Sequence, residues 1–349
     1  MNKNEVNYKV LVSCMTFNQS RYIVDAMNGF CMQKTDFPFI CVIMDDASTD
    51  GEQEVIDAYL KENFDLLGTD ETAYALIASG QHKTNRNCYF IVYYLKENHY
   101  SQKKDKKAYL KDIQSKIEYI ALCEGDDYWT DSSKLQKQVD FLDKNIDCSC
   151  CVHDYDEYIQ NEHQFRPHTI KCLLNFSADY KKINILEYID SLTDYSNNSY
   201  VTKTLTSMYR RSAIDKSFYR NYAAKFDMVL FYALATQGLI GILNQHMGVY
   251  RINNTSVTAK RNGNESRFLY NAIEDIFDIC RVDKTKYSKL FVYTYLKSYL
   301  LSLILYHKKT FMRNIRYLGF KYSSKIILCD VPTMYWTAIL RKIFHKYNN

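Results

Sequence analysis

Proline and glycine are scarce in this chain of 349 residues, with 3 Pro and 10 Gly. That excludes collagen-like and low-complexity architectures and leaves few flexible linkers, so long structured segments are expected. The first residues, Met1 to Val10, lack the apolar core of a signal peptide. Eleven cysteines are present but scattered. With no secretory segment ahead of them they read as reduced thiols of a cytoplasmic protein. Cys148, Cys150 and Cys151 lack the paired CxxC knuckles and histidine spacing of a zinc site and read as small apolar side chains on a buried strand. A clean apolar run of ~20 residues, as a membrane span needs, is also missing. The most apolar stretch, Leu290 to Tyr306, covers 17 residues and carries Lys297 in its middle.

What is present is a globular composition, 47% hydrophobic and 24% charged, with 32 Tyr. Tyrosine suits wet clefts and sugar faces, and an AT-rich genome would enrich it equally. Net charge is +5 but unevenly placed. From Arg281 onward, 14 Lys or Arg face only Asp283 and Asp330, leaving 31 basic against 38 acidic residues in the rest. A mildly acidic body therefore carries a basic tail suited to anionic surfaces. No nucleic-acid recognition motif accompanies it, so no nucleic-acid partner is expected.

Apolar runs at Lys9–Cys14, Phe39–Met44, Tyr89–Leu95 and Tyr119–Cys123 read as buried strands. Helical spacing recurs over Arg21–Met32, Glu52–Phe64 and Ser133–Lys144, and Lys103–Ser115 reads as a solvated, lysine-rich helix. Asp65–Asn87 reads as an insertion with a short helix near Thr72–Ala78. The strand–helix rhythm predicts an α/β fold with a mostly parallel central sheet flanked by helices.

In such sheets ligands bind at the carboxyl ends of strands. Two acidic clusters fall there: Asp45 and Asp46 after the second strand, and Glu124, Asp126 and Asp127 after the fourth. Each alone passes for an acidic turn, and Asp50 for a helix cap. Two clusters on successive strand ends instead suit a hard cation, Mg²⁺ or Mn²⁺, able to bridge a diphosphate. Lys134 opens the helix after the second cluster. It reads either as a solvated lysine or as a phosphate contact, and Arg21 likewise. His153 reads as a structural hydrogen-bonding residue.

The runs VLVSCMTFNQSRYI, VIMDDASTDG and YIALCEGDDYW, followed by FDMVLFYALATQGLIGILNQHMGVYR, resemble the family 2 glycosyltransferases of GT-A fold, over roughly Lys9 to Val257. The resemblance is greatest to bacterial members that build surface polysaccharides. It implies an inverting, metal-dependent transfer from a nucleotide-diphosphate sugar, typically UDP-linked, to a glycan or lipid-linked acceptor. It further implies that Phe17 lies against the base, and that Asp46 accepts a hydrogen bond from the base with Asp45 beside it. Asp126 would face the ribose or sugar and share the metal with its principal ligand, Asp127. Asp227 would act as catalytic base, and Arg251 would approach the diphosphate. The sequence departs from the pattern in three places: Glu124-Gly125-Asp126 replaces DxD, Phe226 precedes the catalytic acid, and Asn253 replaces a histidine. His153–Tyr158 and Ser196–Ser207 fall where acceptor loops occur in similar proteins.

The domain expectation is a catalytic unit over 1–260 and a helical basic and aromatic extension over 261–349. In that extension Phe311, Ile315, Leu318 and Tyr322 share one helical face, as do Trp336, Leu340, Phe344 and Tyr347, with cations nearby. Such faces suit the inner surface of the cytoplasmic membrane or a bundle packed on the domain. Two alternatives remain: a catalytically inactive GT-A-like glycan-binding or scaffold protein, and a sugar-nucleotide pyrophosphorylase. The latter would carry a glycine-rich phosphate loop after the first strand, where Thr16–Ser20 has no glycine.

Overall fold

In the computed structural model the described residues are 6–102, 104, 106–114, 116–192, 201–221, 227–253, 276–298, 309 and 311–330. They fall into two compact units. The larger comprises residues up to Ile185 together with Val201–Ile252; the smaller comprises Leu186–Tyr200 and everything from Asn253.

The larger unit is built on one twelve-stranded sheet. Its centre follows the expected rhythm: β1 (Val10–Thr16), α1 (Ile23–Cys31), β2 (Phe39–Asp45), α2 (Glu52–Asn63), then β3 (Phe64–Glu71), β4 (Ala75–His82) and β5 (Cys88–Leu95). After α3 (Lys107–Gln114) come β6 (Tyr119–Leu122), the two-residue β7 (Tyr128–Trp129), α4 (Lys134–Lys144), β8 (Cys148–Ile159), β9 (Gln164–Pro167) and β10 (Tyr180–Ile183). α5 (Ile185–Ser191), which after Ile185 belongs to the smaller unit, precedes β11 (Met208–Arg210), α6 (Arg211–Lys216), α7 (Asp227–Ala235) and β12 (Leu239–Ile252) in the chain.

The strand order is β10-β12-β8-β11-β6-β1-β2-β5-β4-β3. β6, β1, β2 and β5 pair in parallel, as do β12 and β8, and the short β11 joins the two sets by running against both β6 and β8. β2 is buried along its whole length, as a strand covered on both faces must be, which explains its unbroken apolar run FICVIM. Cys148, Cys150 and Cys151 are buried free thiols on β8, as read from sequence.

The expected insertion with a helix near Thr72–Ala78 is instead the antiparallel hairpin β3–β4, added to the β5 edge. Thr72 closes its turn: its backbone N–H donates to the Ala75 carbonyl at 2.8 Å, and its hydroxyl reaches the same carbonyl at 3.1 Å. β3 exposes every residue after Phe64. An edge strand held by backbone bonds needs no alternating apolar face, so the sequence carried no period-2 signal.

In the smaller unit a helix covers Ser288–Ser298, and Gly319–Lys325 runs on into a π-helical turn, Ile326–Asp330. Phe311, Ile315 and Leu318 are buried there. That face is therefore covered, a choice that helical spacing left open because it reports an apolar stripe without saying what covers it. Leu290–Tyr306 is described only as far as Ser298, and Trp336, Leu340, Phe344 and Tyr347 lie outside the described residues. No helix among the described residues is long and apolar enough to cross a membrane.

Candidate functional site

β1 lies between β2 and β6, so its last residues hold both acidic turns. The N–H of Asp46 donates to the Thr16 carbonyl at 3.0 Å, and the N–H of Gly125 to the Met15 carbonyl at 3.2 Å. Gly125 cannot be another residue without rearrangement. A Cβ there would lie 2.4 Å from Thr16 Oγ1 and 2.5 Å from Gln19 Oε1.

The loop after β1 is laced to the loop after β2. Asn18, in the left-handed region at φ 55°, donates its N–H to Ser48 Oγ and accepts at Oδ1 from Thr49 N–H, both at 2.8 Å. Asp50 takes the N–H of Ser20 at 3.0 Å and that of Glu52 at 3.2 Å, so it ties the loops together beside the start of α2, whose N-cap is Gly51 rather than Asp50. Glu52 is the knot: this buried carboxylate accepts from Thr16 Oγ1, from Gln19 N–H and from Ser48 Oγ. Burial raises its pKa. Phe17 projects from this lacework, 44% exposed.

Asp45 ends β2, wholly buried; it accepts from Ser48 N–H and Gln53, and burial raises its pKa. The Asp46 carboxylate is engaged by the segment after β5: His99 N–H at 2.9 Å, Tyr100 N–H at 3.0 Å and Lys106 Nζ at 3.1 Å. Sequence reading missed this clamp because Lys106 sits in a lysine-rich run that looked merely solvated.

The second cluster is tied to β12. Asp127 is buried and its Oδ1 accepts the Arg251 backbone N–H at 2.8 Å. The Arg251 guanidinium donates to the Asp126 carbonyl at 2.8 Å, to Gln160 at 2.7 Å and to Asp25 at 2.7 Å. The rings of Tyr22, Tyr128 and Tyr158 surround it. Arg251, expected beside the diphosphate, is thus placed as a bracket on the Asp126–Asp127 turn.

Asp227 is exposed at the start of α7, a helix whose remaining eight residues are buried. It stands close enough to act on Glu124, whose pKa is pushed up to about 7 by burial and by the charges of Asp126 and Asp227. Thr204 also donates to Glu124. Burial and the charges of Asp126 and Glu124 raise the Asp127 pKa, opposed by the Arg251 N–H and by Lys203. Lys203 itself lies over the Tyr250 ring at 4.1 Å. Lys203 and Thr204 belong to the polar stretch expected to hold acceptor loops; residues 196–200 of it lie outside the described residues.

The fold and this cleft-edge cluster can be set beside solved structures. The TarS 1–349 fragment of S. aureus, in complex with UDP-GlcNAc, aligns over 89% of this chain and 82% of its own with a TM-score of 0.58 at 14% identity. A longer S. aureus TarS structure aligns over 90% of this chain and 50% of its own, with a TM-score of 0.56 at 15% identity. The fold is GT-A-like. No protein-family model matches the sequence. Uncharacterized proteins of Mycobacterium tuberculosis and Mycobacterium bovis are 35% identical over 141 residues, 40% of this chain, and the match spans 33% of their length.

Around this GT-A-like sheet the remaining expectations divide. Lys134 is neither solvated nor at a phosphate edge. It is fully buried, bonded to Gln138 at 2.7 Å, with its ammonium 3.9 Å from the Trp129 ring centre. His153 is buried on β8 with Nδ1 at 2.6 Å from the Asp154 carbonyl, which fits its structural reading. Arg21 is exposed. Among the described residues no three His, Cys, Asp or Glu side chains are gathered into a ready metal site. The donor set at the second turn is nonetheless all carboxylate oxygen, the chemistry that Mg²⁺ and Mn²⁺ prefer.

Proposed function

We propose that this chain is an inverting, metal-dependent glycosyltransferase of family 2 type, moving a sugar from a nucleotide-diphosphate donor to a glycan or lipid-linked acceptor in surface-polysaccharide synthesis. The observation that supports the reading most is the charge of Asp227, from the second half of the chain, acting on Glu124 in the turn at the carboxyl end of β6. A buried carboxylate, Asp127, beside the half-buried Glu124 and two further acids is unfavourable unless that charge is used.

In this reading Phe17 offers its exposed ring to the base, and Asp45 and Asp46 shape the base and ribose pocket at the end of β2. The UDP-GlcNAc complex of TarS supports a UDP-sugar donor. Asp127, with Asp126, would hold a divalent cation, which when bound supplies positive charge to the departing diphosphate. Arg251 keeps both residues aimed by gripping the Asp126 carbonyl and the Asp127 carboxylate. Asp227 takes the proton from the acceptor hydroxyl as that oxygen attacks the anomeric carbon. Base and leaving group on opposite sides of the sugar give in-line displacement and inversion. A lipid-linked acceptor would place the enzyme at a membrane surface.

The test is release of nucleoside diphosphate from a panel of UDP-, GDP- and dTDP-sugars, with Mn²⁺ or with chelator. Turnover of one donor that needs the metal is expected. Donor binding with no turnover under any condition would favour the inactive glycan-binding alternative. Pyrophosphate-dependent formation of sugar nucleotide would favour the pyrophosphorylase.

A further inference from the structure

Phe311, Ile315 and Leu318, for which helical spacing left a membrane surface or a packed bundle open, are buried. The same segment nonetheless leaves other large apolar side chains in water: Phe320 at 90% exposure, Leu328 at 72%, Ile327 at 46% and Met312 at 45%. Phe320, Ile327 and Leu328 are spaced i, i+7 and i+8 along the helix and the turn that continues it, which keeps them on one side. Scattered exposed leucines need no explanation, but a run of this kind on a single side does.

Charge follows the same segment. Lys309, Arg313, Arg316, Lys321 and Lys325 are all exposed, and no acid lies between 309 and 329. Two nearby acids are turned inward. Asp330 is buried and accepts from the Tyr293 hydroxyl at 2.8 Å. Asp283 is buried and accepts from Thr285 N–H and Oγ1. Among the described residues no ion pair joins Lys309, Arg316, Lys321 or Lys325 to an acid, and Lys321 and Lys325 lie beside the apolar stripe on the helix.

We propose that residues 311–330 dock on an anionic lipid bilayer, with Phe320, Ile327 and Leu328 entering the headgroup boundary and Lys321 and Lys325 meeting lipid phosphates. A nucleic acid would use the cations and leave Phe320 and Leu328 in water. A bilayer serves both halves of the surface at once. The inference goes beyond the transferase reading and does not depend on it.

The experiment is co-sedimentation of the full chain, without nucleotide sugar, with vesicles of phosphatidylcholine alone or of phosphatidylcholine mixed with phosphatidylglycerol. At low salt, binding to the anionic vesicles is expected to exceed binding to neutral ones about tenfold or more, and to weaken with added salt. Lys321→Glu with Lys325→Glu is expected to lower it at least about tenfold. Phe320→Ser with Leu328→Ser, both highly exposed positions, should weaken vesicle binding while leaving retention on heparin, a soluble polyanion, unchanged. Equal binding to both vesicle types, no sedimentation, or vesicle binding indifferent to the Phe320 and Leu328 substitutions would overturn the proposal. The last result together with heparin retention would assign the surface to a polyanion instead.

Discussion

The backbone N–H of Arg251 donates to the Asp127 carboxylate at 2.8 Å, joining residues 124 positions apart. β12 therefore does not merely extend the sheet; it fixes the direction of the carboxylate on which the proposed metal chemistry rests.

Asp127→Asn separates structure from charge, because asparagine keeps an acceptor for the Arg251 N–H. Burial and like charges raise the Asp127 pKa, so its ionised form costs stability and that cost grows as pH rises through the raised value. The variant is expected to melt no lower than the parent near neutral pH, yet to lose about a hundredfold or more in turnover and its response to Mn²⁺. A variant retaining the parental metal response would remove Asp127 from that role. Calorimetry and metal-titrated turnover read the two parts.

Asp227→Asn should leave nucleotide binding intact and cut transfer by about a hundred- to ten-thousandfold. Isothermal titration with the donor nucleotide, beside a turnover assay, checks it. Affinity falling in step with turnover would count against the base assignment. Asp227 is exposed and leads a buried helix, so loss of fold is not expected.

Gly125→Ala places a methyl group against Thr16 and Gln19, and about 1–3 kcal/mol of destabilisation is expected. Gly68 is the control. A Cβ there meets nothing within 4 Å, so Gly68→Ala is expected to change stability by no more than about 1 kcal/mol. Urea midpoints of the two variants should differ clearly, and equal midpoints would refute the crowding at Gly125.

Lys134 titrates near 7, lowered from 10.5 chiefly by burial. Between those values the unfolded chain binds one more proton than the folded one, so this residue makes stability rise with pH, by at most about 1.4 kcal/mol per unit. Below pH 7 its penalty is constant. Lys134→Met, similar in length and apolar, should remove that rise. The parent-minus-variant difference in unfolding free energy, followed from pH 6 to 10, should slope upward; a flat difference would contradict the assignment.

The central sheet was legible because β1, β2, β5 and β6 are covered on both faces and write their burial as unbroken apolar runs. The acidic turns were legible for a related reason: polar residues that end such runs sit at the sheet's carboxyl edge. The hairpin β3–β4 was not, since an edge strand leaves Leu66 and Leu67 exposed and shows no alternation. Lys134 misled for the opposite reason. A lysine at the first turn of a helix looks solvated, and only the fold reveals Trp129 beneath its ammonium. The Lys106 clamp on Asp46 and the position of Lys203 near Asp127 depend on loops meeting across the sheet, which no local pattern encodes.

The three-residue strand β11 has a consequence for how the chain is made. It fills the gap between β6 and β8, and Arg210 pins it by donating to the Cys148 carbonyl at 2.9 Å and the Tyr119 hydroxyl at 3.0 Å. Until Met208–Arg210 leave the ribosome, a nascent chain holds two open strand edges with no partner between them. Synthesis that stalls short of residue 208 therefore leaves these two edges as templates for aggregation, whereas three further residues close both, and the other edge of β8 waits for β12.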